Sequence, residues 1–348
     1  MILITYFYDL IIYNFRSEEI VKMKKILTLL AILLLLCGCT SAVKQEEKVE
    51  ETAPETADLS ALTMVSPKGA PVLAFYDEIG NENYSRVGAD AINALWTGDH
   101  SPDILTVDLS SGIKAIGNGA AYKLAAIVTF GNFYLGSTGS DEDEEMGADD
   151  KIVLFGGENA LPNKIWHYLY GTEFDENLIY VADAQAAAGA LASGKDGEGN
   201  PVDYVFLAQP ALTGALKQNE KAKVYKDIQA EYTAKSGLNM IQAAVFVNDR
   251  VDETVGNAFL DKMEKAINDA VENPELAKEG LSVYSGDEAS AQYGFNPDLV
   301  VNVLKQKAAS GRNAMGLGFA RAYEIKNDID AFMEVLGANK TGEEIYFK

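Results

Sequence analysis

The most reactive arrangement in this sequence is a thiol at the end of an apolar run, and its chemistry is acylation. Leu36, Cys37, Gly38 and Cys39 close a segment, Ile26 to Leu36, that is apolar throughout except for Thr28. Met23, Lys24 and Lys25 give it the basic start of a secretory signal. The run is too short to cross a bilayer, which takes about 20 residues. An apolar residue, two small residues and a cysteine form a lipobox, so signal cleavage is expected before Cys39 and a diacylglyceryl group on its sulfur. Asp9, Glu18 and Glu19 place acid where a signal needs base, so Met23 is the expected start. Cys37 and Cys39 are the only 2 cysteines. Cleavage removes one and acylation consumes the other, leaving no disulfide and no thiolate for a metal.

Catalytic groups are scarce. The chain has 2 histidines, His100 beside Asp99 in a polar turn and His167 in the helical stretch IWHYLY. Neither belongs to a pair on one helix face of the kind zinc hydrolases use. No GxSxG elbow presents a serine, and no Walker lysine cradles a nucleotide phosphate. Met315 to Phe319 reads MGLGF, without the preceding strand and third glycine of a dinucleotide fingerprint. The histidines therefore read as surface and packing residues, and no catalytic residue, cofactor or metal is expected. The run Ser140 to Asp150 (SDEDEEMGADD) invites calcium, but an EF-hand loop counted from Asp141 puts Met146 and Ile152 where Gly and Glu are required. It reads as a solvated loop. A formal charge of -23 argues against nucleic acid and against a body lying flat on anionic lipid.

The elements that would position a binding site alternate strand with helix, which predicts an α/β architecture with parallel sheets. Residues 1–38 are assigned to the upstream segment and signal, and 39–60 to the lipidated cysteine and a tether. That tether is rich in Glu, Lys, Thr and Ser and has a coil span of about 25 Å. Strands are expected at Leu62–Val65, Tyr84–Val87, Asp103–Val107 and Leu124–Phe130, the last continuing past Gly131 and Asn132 as FYLGS. Helices are expected at Ala70–Glu78, Asp90–Trp96 and up to Ile116. A second series follows the acidic loop. It has strands at Lys151–Phe155, Leu178–Val181 and Asp203–Leu207, and helices at Leu161–Tyr170, Gln185–Ala192 and Ala211–Gln218. Ile241–Val247 is a further strand, and the remainder reads mostly as helix, at 251–273, 297–308 and 322–336.

Ligands of open α/β sheets bind beyond the carboxyl ends of strands, where helix N-termini present unpaired N–H groups. Five turns qualify: Ser66–Ala70, Asp108–Gly112, Thr129–Asn132, Gly156–Asn159 and Ala208–Pro210. Each also serves as a plain helix cap.

The order of motifs resembles the type II periplasmic-binding-protein fold, in the branch of the nitrate, sulfonate and thiamine-precursor importers. The resemblance rests on SPKGAP after the first strand, YKLAAIVTFGNFYL, IQAAVFVND and EIKNDIDAFMEVLG, and covers roughly residues 61–348. It implies two lobes joined by two crossing strands, at about Val128–Leu135 and Gln242–Asn248. Lobe 1 would be 61–130 plus 248–348, and lobe 2 would be 131–247. It also implies a lipid-anchored monomer on the extracytoplasmic face of the cell membrane that captures a small solute and delivers it to ABC permease subunits. By position, the implied ligand contacts are Ser66, Lys68, Gly69, Ser110, Ser111, Asn132, Glu158, Asn159 and Gln209. Lys68 suits an anion and Glu158 a cation, which leaves ligand charge open. Phe75, Tyr76, Phe130 and Phe133 are near enough to stack on an aromatic solute. Two alternatives stand beside this reading: an enzyme that processes a pyrimidine precursor on the same fold, and a surface receptor or adhesin.

Overall fold

The computed structural model describes residues 57–139 and 145–348. The signal segment 1–38, Cys39, the tether up to residue 56 and residues 140–144 of the acidic loop lie outside them. Eleven strands are present among the described residues: β1 (Met64–Pro67), β2 (Tyr84–Val87), β3 (Ile104–Asp108), β4 (Tyr122–Thr129), β5 (Phe133–Ser137), β6 (Ile152–Phe155), β7 (Leu178–Val181), β8 (Tyr204–Ala208), β9 (Lys223–Asp227), β10 (Ala243–Asn248) and β11 (Leu317–Arg321). They form a 6-stranded sheet of order β11-β4-β10-β3-β1-β2 and a 5-stranded sheet of order β7-β6-β8-β5-β9. The helices used below are α2 (Leu109–Gly117), α3 (Leu161–Tyr170), α4 (Ala184–Ser193), α5 (Ala211–Leu216), α6 (Ile228–Ser236), α7 (Glu253–Glu272) and α11 (Lys326–Val335); the short α1 (Ala89–Ile92), α8 (Pro274–Gly280), α9 (Gly286–Tyr293) and α10 (Val300–Lys305) complete the set.

Local chemistry explains where the helices begin. Asp108, Asp183, Asp227 and Asp252 cap α2, α4, α6 and α7, each side chain accepting from a backbone N–H of the first turn. Along α7, Phe259, Leu260, Met263, Ile267 and Ala270 recur on one buried face, the spacing of an amphipathic helix. β4 and β10 are buried along almost their whole length, as central strands covered on both sides are. Gly112 lets α2 sit close to β10: a Cβ there would lie 1.9 Å from Phe246 Cζ. Phe246 is in turn held edge-on to Trp96 at 5.3 Å.

Four departures from expectation concern the sheets. Both sheets are mixed rather than parallel: β10 runs antiparallel to β3 and β4, and β5 antiparallel to β8 and β9. A strand that enters a sheet from the other lobe arrives from the opposite end, so the crossings reverse the direction. β10 also lies wholly in the six-stranded sheet, so residues 243–247, expected in lobe 2, pair with lobe 1 strands. The crossing strand expected at Gln242–Asn248 is β10 itself, Ala243–Asn248. The third and fourth departures are β9 and β11, two edge strands in regions read as loop or helix.

The C-terminal helix is fastened by one carboxylate. Asp330 on α11, 7% exposed, accepts from Lys326 Nζ at 2.5 Å and from Thr341 N and Oγ1 at 2.8 and 2.6 Å. Burial raises its pKa, but the Lys326 ammonium and the Thr341 donors outweigh burial and hold it below the ordinary carboxylate value. A depressed folded-state pKa stabilises above the unfolded-state pKa and is lost as pH falls through the folded one. Asp330→Ala should therefore cost about 2 kcal/mol at pH 7, with the deficit closing as pH falls through the carboxylate range. Urea unfolding of both proteins across that range checks it, and a pH-independent deficit would contradict the assignment.

Candidate functional site at the lobe crossing

Four chain passages meet where the two sheets join. They are Phe130–Asn132 between β4 and β5, Gln209–Pro210 after β8, Met240–Gln242 before β10, and the loop 306–316 before β11. Asn132 and Gln209 form a reciprocal pair: Asn132 Nδ2 donates to Gln209 O at 3.0 Å, and Gln209 N donates to Asn132 O at 3.1 Å. Gln242 N donates to Thr129 O at 2.9 Å, and Leu109 N at the head of α2 donates to Gln242 O at 2.9 Å. Phe130 N donates to Gly316 O at 2.7 Å, and Tyr134 OH to Ala314 O at 3.3 Å. The passages are stitched backbone to backbone, and only small residues fit: a Cβ on Gly316 would lie 2.1 Å from Gly131 O.

The side chains at this junction are polar and out of water. Thr106, Thr129, Asn132 and Gln229 are all buried, none above 2% exposed. Thr106 Oγ1, Thr129 Oγ1, Asn132 Oδ1, Gln242 Oε1 and both amide atoms of Gln229 have no hydrogen-bond partner among the described residues. A buried polar atom left unpaired costs about 1–3 kcal/mol. Of the eleven such atoms among the described residues, five, on Thr129, Asn132, Gln229 and Gln242, lie at the crossing, where the fold keeps polar groups at the expense of stability. Hydroxyls and carboxamides offer donors and acceptors to a hydrogen-bonding molecule. The described residues also contain no cluster of three or more His, Cys, Asp and Glu arranged to take a metal.

A second contact joins the lobes. Lys164 in the first turn of α3 donates to Ser110 Oγ in the first turn of α2 at 3.2 Å. Beside it runs a groove of about 530 Å³ lined by Ile113, Lys114, Met333 and Leu336.

Of the residues expected from sequence, the structure brings Asn132 against Gln209 and sets Ser110 opposite Lys164. Ser110 Oγ donates to Asp108 Oδ1 at 2.8 Å and Ser111 N to the same oxygen at 3.0 Å, so the cap consumes part of what this turn offers. Ser66 is buried with its hydroxyl on Tyr84 OH at 2.7 Å, while burial pushes the Tyr84 phenol well above its usual pKa. The Gly69 amide is committed to Tyr293 O at 2.7 Å. Lys68, Glu158 and Asn159 stand exposed on their turns. Among the aromatic candidates, Phe75 and Phe133 are core residues, Tyr76 is half-buried, and Phe130 carries the Arg312 guanidinium on its ring at 4.0 Å. His167 pairs with Asp175 at 2.8 Å on the surface.

Sequence reasoning did not single out Thr106, Gln229, Gln242, Lys164 or Arg312. A signal existed for two of them. Thr106 interrupts the apolar strand ILTVD, and Gln242 interrupts IQAAVFV, where a polar residue at a buried position asks for a partner.

No family model matches the chain, and no curated protein does. Solved structures do. An ABC transporter protein of Parabacteroides distasonis aligns with TM-score 0.64 at 19% identity, over 83% of this chain and 99% of that one. The ligand-binding component of an ABC-type import system of Staphylococcus aureus, solved with zinc bound, aligns with TM-score 0.56 at 10% identity, over 82% and 96%. The periplasmic aliphatic sulphonate binding protein of Escherichia coli aligns with TM-score 0.53 at 14% identity, over 82% and 91%. The chain therefore has the two-lobed α/β fold of periplasmic solute-binding proteins, and these neighbours are binding proteins or components of transporters.

Proposed function

We propose that this protein is the extracytoplasmic solute-binding component of an ABC importer, working as a monomer that delivers a small solute to permease subunits. The observation that carries the reading is the polar crossing. Unpaired buried hydroxyls and carboxamides from segments of both sheets collect where the lobes join, so a solute that pairs with them gains most when the lobes are closed. Closure follows from that difference in affinity between the open and closed forms. Asn132, Gln209, Ser110 and Ser111 are the contacts best placed for it. Ser66, Lys68, Gly69, Glu158 and Asn159 border the same strand ends. A diacylglyceryl group on Cys39 would supply the anchor, and the mass of the mature protein checks for it.

The test is ligand-induced stabilisation. The purified protein, unfolded and refolded to strip carried-over solute, should show a thermal shift with one class among sulfonates, nitrate, bicarbonate, pyrimidines, amines and aromatic acids. At 100 times its Kd a ligand adds about 2.7 kcal/mol. Scattering should show the lobes closing with the same ligand. No response from any class, with scattering unchanged, would count against the reading.

A further inference from the structure

Four arginines lie among the described residues, and three have polar partners. Arg250 pairs with Asp103 Oδ1 at 2.7 Å, Arg321 with Asp261 Oδ1 at 2.5 Å, and Arg86, packed among Tyr84, Tyr284 and Tyr293, donates to Gln292 Oε1 at 3.3 Å while its Nε and Nη1 are buried without a partner among the described residues. The fourth, Arg312, is half-buried, lies flat on Phe130 at 4.0 Å, and meets no carboxylate or other acceptor among the described residues. The chain carries 52 Asp and Glu against 29 Lys and Arg, so an unpartnered arginine is not explained by a shortage of acid. Burial alone acts on its pKa, and lowers it. A guanidinium partly withdrawn from water gains from an opposite charge beside it.

The surroundings hold it ready. The 306–316 loop is tied internally by Ala308 N to Arg312 O and Ala314 N to Gln306 O, both 2.9 Å. Asn313 brackets Leu317, its Nδ2 on Leu317 O at 2.7 Å and its Oδ1 under Leu317 N at 3.1 Å. Gly318 leaves room for the side chain, since a Cβ there would lie 3.2 Å from Arg312 Nη1 and 3.3 Å from the Phe130 ring. One residue along, Gly131 packs on Gln229, whose amide is unpartnered, so hydrogen-bonding groups border both residues of the Phe130–Gly131 step. The loop is also bonded to both sheets, through Ala309 N to Asp227 Oδ2 at 3.0 Å and Phe130 N to Gly316 O at 2.7 Å.

We propose that Arg312 is an oxyanion receptor at the hinge, taking a carboxylate, sulfonate or phosphate group on the fork of its guanidinium. A planar fork fixed by stacking suits two-point recognition of such a group. Because the loop is bonded to both sheets, the anion would favour the lobe arrangement in which Arg312 is held on Phe130. The group could belong to the imported solute or to a separate inorganic ion. This goes beyond the solute-binding reading and stands or falls apart from it.

Sulfate, phosphate, methanesulfonate and acetate would be titrated at fixed ionic strength, balanced with chloride, into the wild type, Arg312→Gln, Arg312→Lys and Lys217→Gln, the last an exposed lysine away from the crossing, reading Tm. The wild type and Lys217→Gln should show a saturating rise with at least one anion. Arg312→Lys should bind about tenfold more weakly, and Arg312→Gln should show no saturating response. An unsaturating rise in the wild type, as excluded salts give, would overturn the proposal, as would an unchanged midpoint in folded Arg312→Gln. Should Arg312→Gln fail by circular dichroism, Arg312→Lys carries the test: unweakened binding overturns it. With a solute identified by the thermal-shift panel, competition with the anion assigns the acid group to the solute, and additive shifts assign a separate ion.

Discussion

Replacing Gly316 with alanine is expected to lower stability by about 3 kcal/mol or more. Gly316 has φ +64, in the left-handed region where an L side chain costs about 1–2 kcal/mol. The larger part comes from position. The added Cβ would stand 2.1 Å from Gly131 O and 2.8 Å from Gly131 C, both backbone atoms of the first crossing. A flexible side chain could swing away, but a crossing segment held by Phe130 N to Gly316 O at 2.7 Å cannot move without opening that bond. Gly157→Ala separates the two contributions, because φ there is +83 and a Cβ would meet nothing within 4 Å. Urea unfolding should show a midpoint far lower for Gly316→Ala than for Gly157→Ala at similar m values. Equal small losses in the two variants would remove the close approach as a determinant of the hinge.

The same glycine shows what the sequence made legible and what it withheld. MGLGF was visible as a glycine motif and fits a nucleotide loop poorly. Its actual use is to admit Gly131 against Gly316, and Phe130 and Arg312 against Gly318, and Gly131 and Phe130 belong to a segment about 185 residues earlier in the chain. The helix Leu161–Tyr170 and strand Leu178–Val181 match expectation residue for residue, because apolar periodicity and punctuating turns are local properties. β9, KVYKD, has polar residues on both faces and pairs only with β5, so its strand character comes from a neighbour that periodicity does not reveal. β11, LGFAR, contains a glycine that propensity counts against a strand and that packs closely beside Phe130. Asn132 and Gln209 were reachable from the rule that ligands gather beyond strand ends. Gln229 and Arg312 were not, since each matters only through what tertiary packing leaves unpaired around it.

Asn132→Asp should be the more informative lesion, because its cost depends on pH while that of Gly316→Ala does not. Asn132 is 0% exposed, and its Nδ2 donates to Gln209 O at 3.0 Å. An aspartate of the same shape would turn a carboxylate oxygen toward that carbonyl, with no cation paired to Asn132 in the described structure. An uncompensated buried charge costs about 3–5 kcal/mol. The introduced group would respond by holding its proton, so its folded-state pKa rises above the unfolded one. A raised acid pKa means the folded state binds more protons between the two values, and stability therefore falls as pH rises through that window. Below it the protonated acid can donate to Gln209 O as the amide does. Asn132→Asp should then approach wild-type stability near the bottom of the carboxylate range and lose about 3 kcal/mol or more at pH 7, while Asn132→Ala stays low at both. Thermal unfolding of the three proteins across pH decides it. A deficit that does not change with pH would mean that residue 132 is not held against Gln209 in solution, and the crossing would have to be joined by other bonds.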